Sequence, residues 1–357
     1  MKVAIIVGTR PEIIKMAPIV RACAERAVPY LLLHTGQHYS YEMDGVFFEE
    51  LGLPQPHANL AVGSGTQAYQ IGSIISGILP IYEREKPDWV LVEGDTSSVL
   101  AAGLAAHKLG LKVGHVEAGL RSYDRTMPEE INRILTDQFS DHLYAPTERS
   151  RQTLLGEGMA AERIFVTGNT VVDELLLQRP RAEALGVPAR FAVQPGGYAL
   201  ATVHRAENTD HEARLRGIVQ GLSDVARDQK LEVLCAVHPR TTERMGRLGL
   251  SWGEGVRALP PLPYLDFLGL HAQAALTLTD SGGLQEEACC LGVPAVTLRD
   301  NTERPESVDA GANQLAGADP ERIVAAARAM RAKRADWANP FGDGRAAHHT
   351  LDALLQA

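Results

Sequence analysis

Short apolar runs recur along the whole chain, and each ends in a polar residue or glycine before a stretch with helical periodicity. Strands buried on both faces are apolar throughout, and parallel neighbours need crossover helices between them. The pattern therefore predicts an α/β protein with parallel sheets. The predicted strands are 3–7, 31–34, 89–92, 113–116, 143–145 and 164–166 in the first half, and 200–203, 233–237, 256–259, 275–279 and 295–298 in the second.

The chain length predicts two domains, because 357 residues exceed what one hydrophobic core usually supports. Each series of strands indicates a Rossmann-like half, with helices such as 214–228 between the strands. The stretch 179–197 is rich in Pro, Gly, Ala and Arg without a clear period, which favours a linker there or slightly earlier. We predict an N-terminal domain over 1–170 and a C-terminal domain over 171–344, followed by a terminal helix within 345–357.

Charge and cysteine content narrow the class of protein. Thirty-five basic residues against 44 acidic ones give a net charge of −9, which would repel nucleic acid. The four cysteines lack metal-ligand spacing and suit reduced thiols in a cytosol, so no metal is expected. The N-terminus indicates a first strand, with neither a signal peptide nor a membrane span. We therefore predict a cytoplasmic protein that has no nucleic-acid or membrane partner.

Residues 63–68 match the spacing of the dinucleotide-binding fingerprint G-x-G-x-x-A. The residues before them, including His57 and Asn59, are too polar to predict the strand that this fingerprint requires. A loop that caps the next helix explains the glycines equally well.

Ligands of open α/β sheets bind beyond the carboxyl ends of the strands, so polar residues there are the first candidates. Arg10 and Lys15 follow the first strand and could face an anion or form a solvated basic pair. Asp95 and Glu117 follow later strands. Asp95 could equally be the N-cap of the next helix, and strand alternation would put Glu117 on the same side as His115.

The second half provides complementary groups. His204 and His238 each follow an apolar strand, which suggests one shared site, although a structural role is open for both. A buried strand then runs into Ser281-Gly282-Gly283 and a helix. Small residues let backbone N–H groups approach a phosphate, and Glu287 could accept ribose hydroxyls. A tight strand–helix turn with glutamates that complement the helix dipole explains the same residues.

Together these segments resemble the non-hydrolysing UDP-N-acetylglucosamine 2-epimerases. The matching segments are 8–12, 94–96, 115–121, 128–130, 168–170, 204–208, 279–287, 302–306 and 339–344. The resemblance implies the glycosyltransferase-B fold of two Rossmann-like domains, with the active site in the interdomain cleft and the terminal helix back on the first domain. It also implies a homodimer that needs no cofactor.

The resemblance implies that UDP-GlcNAc and UDP-ManNAc are interconverted by elimination of UDP to 2-acetamidoglucal and its re-addition. It assigns acid/base catalysis to Asp95, Glu117 and Glu130, and assistance of phosphate departure to His204. Neighbouring carboxylates suit this chemistry, because like charges push their pKa values apart. The implied substrate contacts are Arg10, Lys15 and Arg133 at the sugar and its phosphate, and Arg205, His238, Phe267, Ser281, Gly282, Gly283, Glu287 and Arg304 at UDP.

Two segments depart from the pattern of many bacterial members, which bind a second, activating UDP-GlcNAc. Their Gln-His-Arg-Gln type segment is Gln37-His38-Tyr39-Ser40 here, and no arginine lies near Gly65, so allosteric activation is not implied. The segments 37–40, 127–130 and 204–208 also resemble an archaeal-type branch and the epimerases of UDP-2,3-diacetamido-2,3-dideoxyglucuronate. The Arg304-Pro305 pair favours UDP-GlcNAc. Three further functions stay open: a glycosyltransferase of the same fold, a silent UDP-sugar sensor, and hydrolysis to free ManNAc.

Overall fold

The computed structural model describes residues 1–37 and 41–356, which form two compact units. Unit 1 comprises Met1–Glu174 and the residues from Phe341 onward, and unit 2 comprises Leu175–Pro340. Each unit contains one parallel sheet with helices, so the predicted α/β class with two Rossmann-like halves is confirmed. In the described ranges, no helix combines the length and apolar character that crossing a membrane requires.

Unit 1 is built on a seven-stranded sheet. The strands are β1 (Val3–Val7), β2 (Tyr30–His34), β3 (Ala58–Asn59), β4 (Trp89–Glu93), β5 (Lys112–Val116), β6 (His142–Ala145) and β7 (Ile164–Val166), in the order β3-β2-β1-β4-β5-β6-β7. The helices are α1 (Arg10–Glu25), α2 (Tyr41–Glu50), α3 (Gln67–Glu85), α4 (Ser97–Lys108), α5 (Pro128–Phe139), α6 (Glu148–Gly156) and α7 (Thr170–Ala184), with a 3-10 turn at Ala161–Arg163.

Unit 2 is built on a six-stranded sheet. The strands are β8 (Tyr198–Thr202), β9 (Glu232–Ala236), β10 (Val256–Leu259), β11 (Leu276–Thr279), β12 (Ala295–Thr297) and β13 (Asn313–Leu315), in the order β10-β9-β8-β11-β12-β13. The helices are α8 (Val187–Arg190), α9 (Ala206–Thr209), α10 (Glu212–Gln229), α11 (Pro239–Arg247), α12 (Tyr264–His271), α13 (Gly282–Leu291), α14 (Pro305–Asp309) and α15 (Pro320–Arg331), and the chain then enters α16 (Ala346–Leu355) of unit 1.

The apolar runs predicted eleven strands and missed the two short strands β3 and β13. Both lie at the edge of their sheet, where a strand pairs on one side only and needs fewer apolar residues. The polar residues before Gly63 therefore do include a two-residue strand. The glycine segment that follows caps α3, because the Thr66 hydroxyl accepts from the Tyr69 N–H at 3.3 Å.

The stretch predicted as a linker is partly helical. Residues 179–184 complete α7, with Pro180 inside that helix, and α8 follows. The two units divide earlier, between Glu174 and Leu175. Helix α16 packs against α1 within unit 1. Its first N–H groups, from Ala346 and Ala347, donate to the Asp173 carboxylate at 2.9 and 3.1 Å.

Gly8 allows the ends of three elements of unit 1 to meet. It follows β1, and a Cβ at this position would lie 2.2 Å from both Thr35 Oγ1 and Ser98 Oγ. These two hydroxyls are hydrogen-bonded to each other at 2.7 Å. A side chain at Gly8 would therefore force apart the residue after β2 and the first turn of α4.

We expect Gly8→Ala to lower the free energy of unfolding by about 1–3 kcal/mol, because a methyl group cannot fit beside these hydroxyls. Gly72→Ala is the matched control, since Gly72 lies exposed in α3 and a Cβ there meets nothing within 4 Å. The control should be neutral or stabilising by up to about 1 kcal/mol, because alanine is the better helix former. Urea unfolding measures both, and similar shifts in the two variants would contradict a steric role for Gly8.

Candidate functional site

Arg133 of α5 brings Asp95 and Glu130 together in unit 1. Its guanidinium lies in short contact with both carboxylates. The neighbouring Asn132 side chain donates to the Asp95 carbonyl at 2.9 Å, which fixes the loop after β4 against α5. Three of the predicted sugar-side residues therefore form one network.

Glu130 is held as an ionised carboxylate. It accepts from the Ser122 N–H and hydroxyl at 2.9 and 3.0 Å and from the Tyr123 N–H at 2.9 Å. Burial alone would raise the pKa of Glu130, but the Ser122 N–H and the Arg133 guanidinium outweigh burial and hold it below its ordinary value. At neutral pH this side chain is therefore equipped to accept a proton rather than to donate one.

Lys15 contacts the third predicted carboxylate of unit 1, Glu117. Its ammonium lies in short contact with Glu117 and 3.0 Å from Glu93 Oε1, so it faces carboxylates. The Asn169 side chain donates to Glu117 at 3.1 Å. Both donors favour the ionised form of Glu117.

His115 and Glu117 do not share one side of a strand, so this prediction from strand alternation is wrong. Strand β5 ends at Val116, and Glu117 has a left-handed φ of 68°, so the alternation does not extend to it. The imidazole of His115 instead contacts Asp137 at 2.6 Å and the Gly94 carbonyl at 2.8 Å, fully buried. His115 therefore joins α5 to the loop after β4.

One further expectation for unit 1 is corrected. Thr96, not Asp95, is the N-cap of α4, and its hydroxyl accepts from Ser98 N–H at 3.1 Å. Asp95 is thereby left to its pairing with Arg133. The Arg10 guanidinium lies over the Phe47 ring, 4.8 Å from its centroid.

Two buried carboxylates near the predicted ones were missed by the sequence analysis. Glu12 of α1 accepts from the Thr9 hydroxyl at 3.0 Å, and burial raises its pKa to about 7. Burial also raises the pKa of Glu93 well above its usual range, although Lys15 opposes this shift. Both follow the pattern of polar residues at the ends of strands or starts of helices, but burial is not visible in that pattern.

In unit 2, the buried carboxylate of Asp280 organises the segment that contains His204 and Arg205. It lies 3.0 Å from the His204 ring nitrogen Nδ1 and accepts from the backbone N–H groups of both residues at 3.0 Å. The Asn208 side chain adds a donor at 3.1 Å. Burial alone would raise the pKa of Asp280, but these donors, with His204 first, hold it below its ordinary value.

The two predicted histidines of unit 2 lie close together, with ring centroids 6.4 Å apart. His204 exposes 39% of its side chain, and Asp280 occupies its Nδ1, so Nε2 is the nitrogen available to a ligand. His238 is the N-cap of α11, with Nδ1 accepting from the Arg240 N–H at 3.2 Å. His238 therefore has a structural role as a helix cap, in addition to any contact with a ligand.

The Ser281-Gly282-Gly283 turn forms the N-terminus of α13, as the sequence predicts. No side-chain capping bond is made by Ser281, whose own N–H donates to Thr279 Oγ1 at 2.9 Å. A Cβ at Gly282 would lie 3.5 Å from Glu303 Oε2 and 4.0 Å from the Arg205 guanidinium, and one at Gly283 would meet nothing within 4 Å. The turn therefore combines small residues, a helix N-terminus and a nearby cation, which together suit an anion.

The other predicted UDP contacts lie around α13 and α12. Glu287 Oε2 is 3.5 Å from Nδ1 of the buried His271, whose ring also packs against Phe267 with centroids 5.8 Å apart. Arg304 Nε lies 2.7 Å from the buried Glu286. Each of these side chains thus has a protein partner that fixes its position.

Part of the segment that departs from the activating-site pattern can be described. The Gln37 side-chain oxygen accepts from the Ser98 hydroxyl at 2.6 Å and from its N–H at 3.1 Å. His38, Tyr39 and Ser40 lie outside the described residues. Within the described ranges, no three His, Cys, Asp or Glu side chains are arranged to hold a metal ion.

Comparison with known proteins identifies a family. A family model described as UDP-N-acetylglucosamine 2-epimerase matches residues 21–355. A Methanocaldococcus jannaschii protein of that name is 48% identical over 361 residues, covering 99% of each chain. A Pseudomonas aeruginosa protein named UDP-2,3-diacetamido-2,3-dideoxy-D-glucuronate 2-epimerase is 41% identical and covers 100% of each. The crystal structure of M. jannaschii UDP-GlcNAc 2-epimerase in complex with UDP-GlcNAc and UDP has a TM-score of 0.94, with 47% identity over 100% of each chain.

The raised pKa of Glu12 makes the stability of the protein depend on pH. Between its ordinary value of 4.5 and about 7, the unfolded chain releases this proton while the folded chain keeps it, so stability falls as pH rises. Glu12→Gln removes this dependence. From pH 4.5 to pH 8, we expect the free energy of unfolding of the variant to rise by about 3 kcal/mol relative to that of the wild type. This follows from about 1.4 kcal/mol per pKa unit.

Urea unfolding at a series of pH values measures the difference. Glu83→Gln, at an exposed position of α3, is the control and should run parallel to the wild type. A Glu12→Gln curve that also runs parallel to the wild type would mean that the pKa of Glu12 is the same in the folded and unfolded states.

Proposed function

We propose that this chain, which belongs to the UDP-N-acetylglucosamine 2-epimerase family, interconverts UDP-GlcNAc and UDP-ManNAc. The observation that supports this most strongly is the concentration of carboxylates in unit 1, where Asp95, Glu117 and Glu130 are each held by a cation. A reaction at a weakly acidic carbon needs a base and an acid beside that carbon, whereas a sensor needs neither.

The proposed reaction is an elimination followed by an addition. A carboxylate takes the proton from carbon 2 while the bond between carbon 1 and the UDP oxygen breaks, which leaves 2-acetamidoglucal and UDP. UDP then adds back to carbon 1, and carbon 2 receives a proton on the opposite face. Atoms balance, because one proton is removed and one returned while UDP leaves and re-adds.

Asp95, Glu117 and Glu130 form the proposed acid/base set. The ammonium of Lys15 favours the ionised form of Glu117, and the guanidinium of Arg133 favours that of Glu130, so both are available as bases. The same cations would stabilise negative charge that develops as the sugar–phosphate bond breaks. Arg10 is proposed to contact the same phosphate.

The proposed UDP-binding elements lie in unit 2. Backbone N–H groups of Gly282 and Gly283, together with the Ser281 hydroxyl, would hold the diphosphate at the start of α13, with the Arg205 guanidinium beside them. His204 would assist departure of the diphosphate through Nε2, since Asp280 holds Nδ1. The remaining proposed contacts with UDP are His238, Phe267, Glu287 and Arg304.

A cytoplasmic location and a homodimer stay predictions from the sequence.

A second candidate substrate is UDP-2,3-diacetamido-2,3-dideoxyglucuronate. The 41% identity to the P. aeruginosa epimerase that is named for this sugar favours it. The higher identity to the M. jannaschii protein and the Arg304-Pro305 pair favour UDP-GlcNAc. Comparing kcat/KM for the two sugars separates the candidates.

Incubation with UDP-GlcNAc in D2O tests the proposed reaction. We expect deuterium at carbon 2 together with UDP-ManNAc, both followed by NMR, because the abstracted proton is replaced from solvent. Release of free ManNAc would indicate hydrolysis instead. An unlabelled sugar without any epimer would refute the epimerase proposal.

Asp95→Asn and Glu117→Gln test the acid/base assignment. Both should lower the rate of carbon 2 exchange by at least about 100-fold, the typical contribution of a positioned acid or base. UDP affinity, measured by calorimetry, should stay near that of the wild type. Lost UDP binding in either variant would instead assign that carboxylate a structural role.

Asp280→Asn tests the organisation of the diphosphate-binding segment. An asparagine amide at this position would turn its own N–H group toward the N–H donors that Asp280 now accepts from. Buried donors would then be left without an acceptor, at a cost of about 1–3 kcal/mol. We expect UDP affinity to fall about tenfold or more. Asp300→Asn is the control, because Asp300 is an exposed carboxylate that pairs with Arg214. Equal UDP affinities in the two variants would contradict the role of Asp280.

A further inference from the structure

One ammonium group is shared by two buried carboxylates in unit 1. Lys15 Nζ lies 3.0 Å from Glu93 Oε1 and in shorter contact with Glu117 Oε2. The exposed fractions of the three side chains are 12% for Lys15, 2% for Glu93 and 6% for Glu117. A single positive charge offsets only one of two buried negative charges, so the second carboxylate is strongly favoured to hold a proton.

The surroundings decide which carboxylate holds that proton. Glu117 has a second donor in the Asn169 side chain, at 3.1 Å, which favours its ionised form. Glu93 is the more buried of the two and also faces the negative potential of Glu12. Burial, with Glu117 and Glu12 adding to it, raises the pKa of Glu93 well above its usual range against the opposing charge of Lys15. These surroundings favour Glu93 as the carboxylate that holds the proton.

We propose that Glu93 is a positioning residue for Glu117: in its neutral form it keeps the Lys15 ammonium against Glu117, and loss of its proton draws the ammonium away. The proposal rests on the proposed epimerase function, in which Glu117 is one of the acid/base groups. Glu93 itself touches neither substrate nor reacting atoms in this assignment.

Among the described residues, the charged groups that face Glu93 come from two neighbouring elements. Helix α1 contributes Lys15 and Glu12, and the residue after β5 contributes Glu117. Asp95, two residues after Glu93, raises the pKa of Glu12 through its negative charge. Below the raised pKa Glu93 is neutral and the arrangement is complete, whereas above it Glu93 competes for Lys15. The effect of Glu93 is therefore a loss of activity on the alkaline side.

Glu93→Gln and Glu93→Asp test the proposal in opposite directions. Glutamine keeps the size of the neutral acid and cannot ionise, so we expect kcat within about threefold of the wild type at neutral pH. It should also lack the alkaline decline. Aspartate is one methylene shorter and withdraws its oxygens from Lys15, so we expect kcat to fall about tenfold or more with KM unchanged. A role that needs the negative charge predicts the reverse order.

Rates of carbon 2 exchange over a range of pH provide the measurement. Glu12→Gln separates the effect of this neighbouring carboxylate on the pH profile from the effect of Glu93. This variant should keep the alkaline decline in rate that Glu93 produces. Glu174→Gln is the matched control, because Glu174 is a fully buried carboxylate of unit 1 that pairs with Arg21. It should change stability but not the pH profile. A decline that persists in Glu93→Gln, or disappears only in Glu12→Gln, overturns the proposal.

Infrared difference spectra test the protonation of Glu93 independently of activity. The wild type minus Glu93→Gln spectrum at neutral pH should contain the carbonyl stretching band of a protonated carboxyl group. A difference spectrum with only the carboxylate bands refutes a neutral Glu93 even if epimerisation is confirmed. Conversely, the protonated band together with no carbon 2 exchange in the wild type refutes the proposed function and the proposed role with it.

Discussion

The contacts among buried carboxylates and two cations at the carboxyl edge of the first sheet are the constraint on which the rest of unit 1 depends. In the described part of this unit, Glu12, Glu93, Glu117 and Glu130 are buried and Asp95 is half-buried, while Lys15 and Arg133 contact four of these five carboxylates. Buried negative charge in excess of its counterions is costly, so protons must make up the difference. This balance of charge favours ionised and protonated carboxylates side by side at the same pH.

Several local features follow from that constraint. Arg133 is buried between two carboxylates, which ties α5 to the loop after β4. The left-handed backbone of Glu117 turns its side chain out of the strand pattern, where it meets Lys15 and Asn169. Such a backbone conformation costs free energy for a residue with a side chain and persists only when its contacts hold it. The ion pair and the strained residue thus depend on each other.

The carboxyl edge of the sheet in unit 2 has the opposite balance of groups, with one carboxylate and several hydrogen-bond donors. One buried carboxylate, Asp280, collects backbone N–H groups, an imidazole and an amide. Its negative charge is satisfied by internal donors, while the nearby turn of small residues leaves N–H groups and a helix N-terminus for a ligand anion. Parallel sheets end in similar loops, and the difference in chemistry comes from which charges these loops gather.

Much of this organisation follows from the sequence by itself. Apolar runs predicted eleven of the thirteen strands among the described residues. The motifs at strand ends contained Asp95, Glu117 and the Ser281-Gly282-Gly283 turn, and the family resemblance added Glu130. The apolar pattern did not predict the two edge strands β3 and β13, because a strand that pairs on one side only requires little apolar surface. Only the tertiary structure decided that Glu93 shares Lys15 with Glu117, that Thr96 rather than Asp95 caps α4, and that Asp280 holds His204. Strand and helix periodicity are local properties of a chain, whereas burial and charge pairing depend on residues that are far apart in sequence.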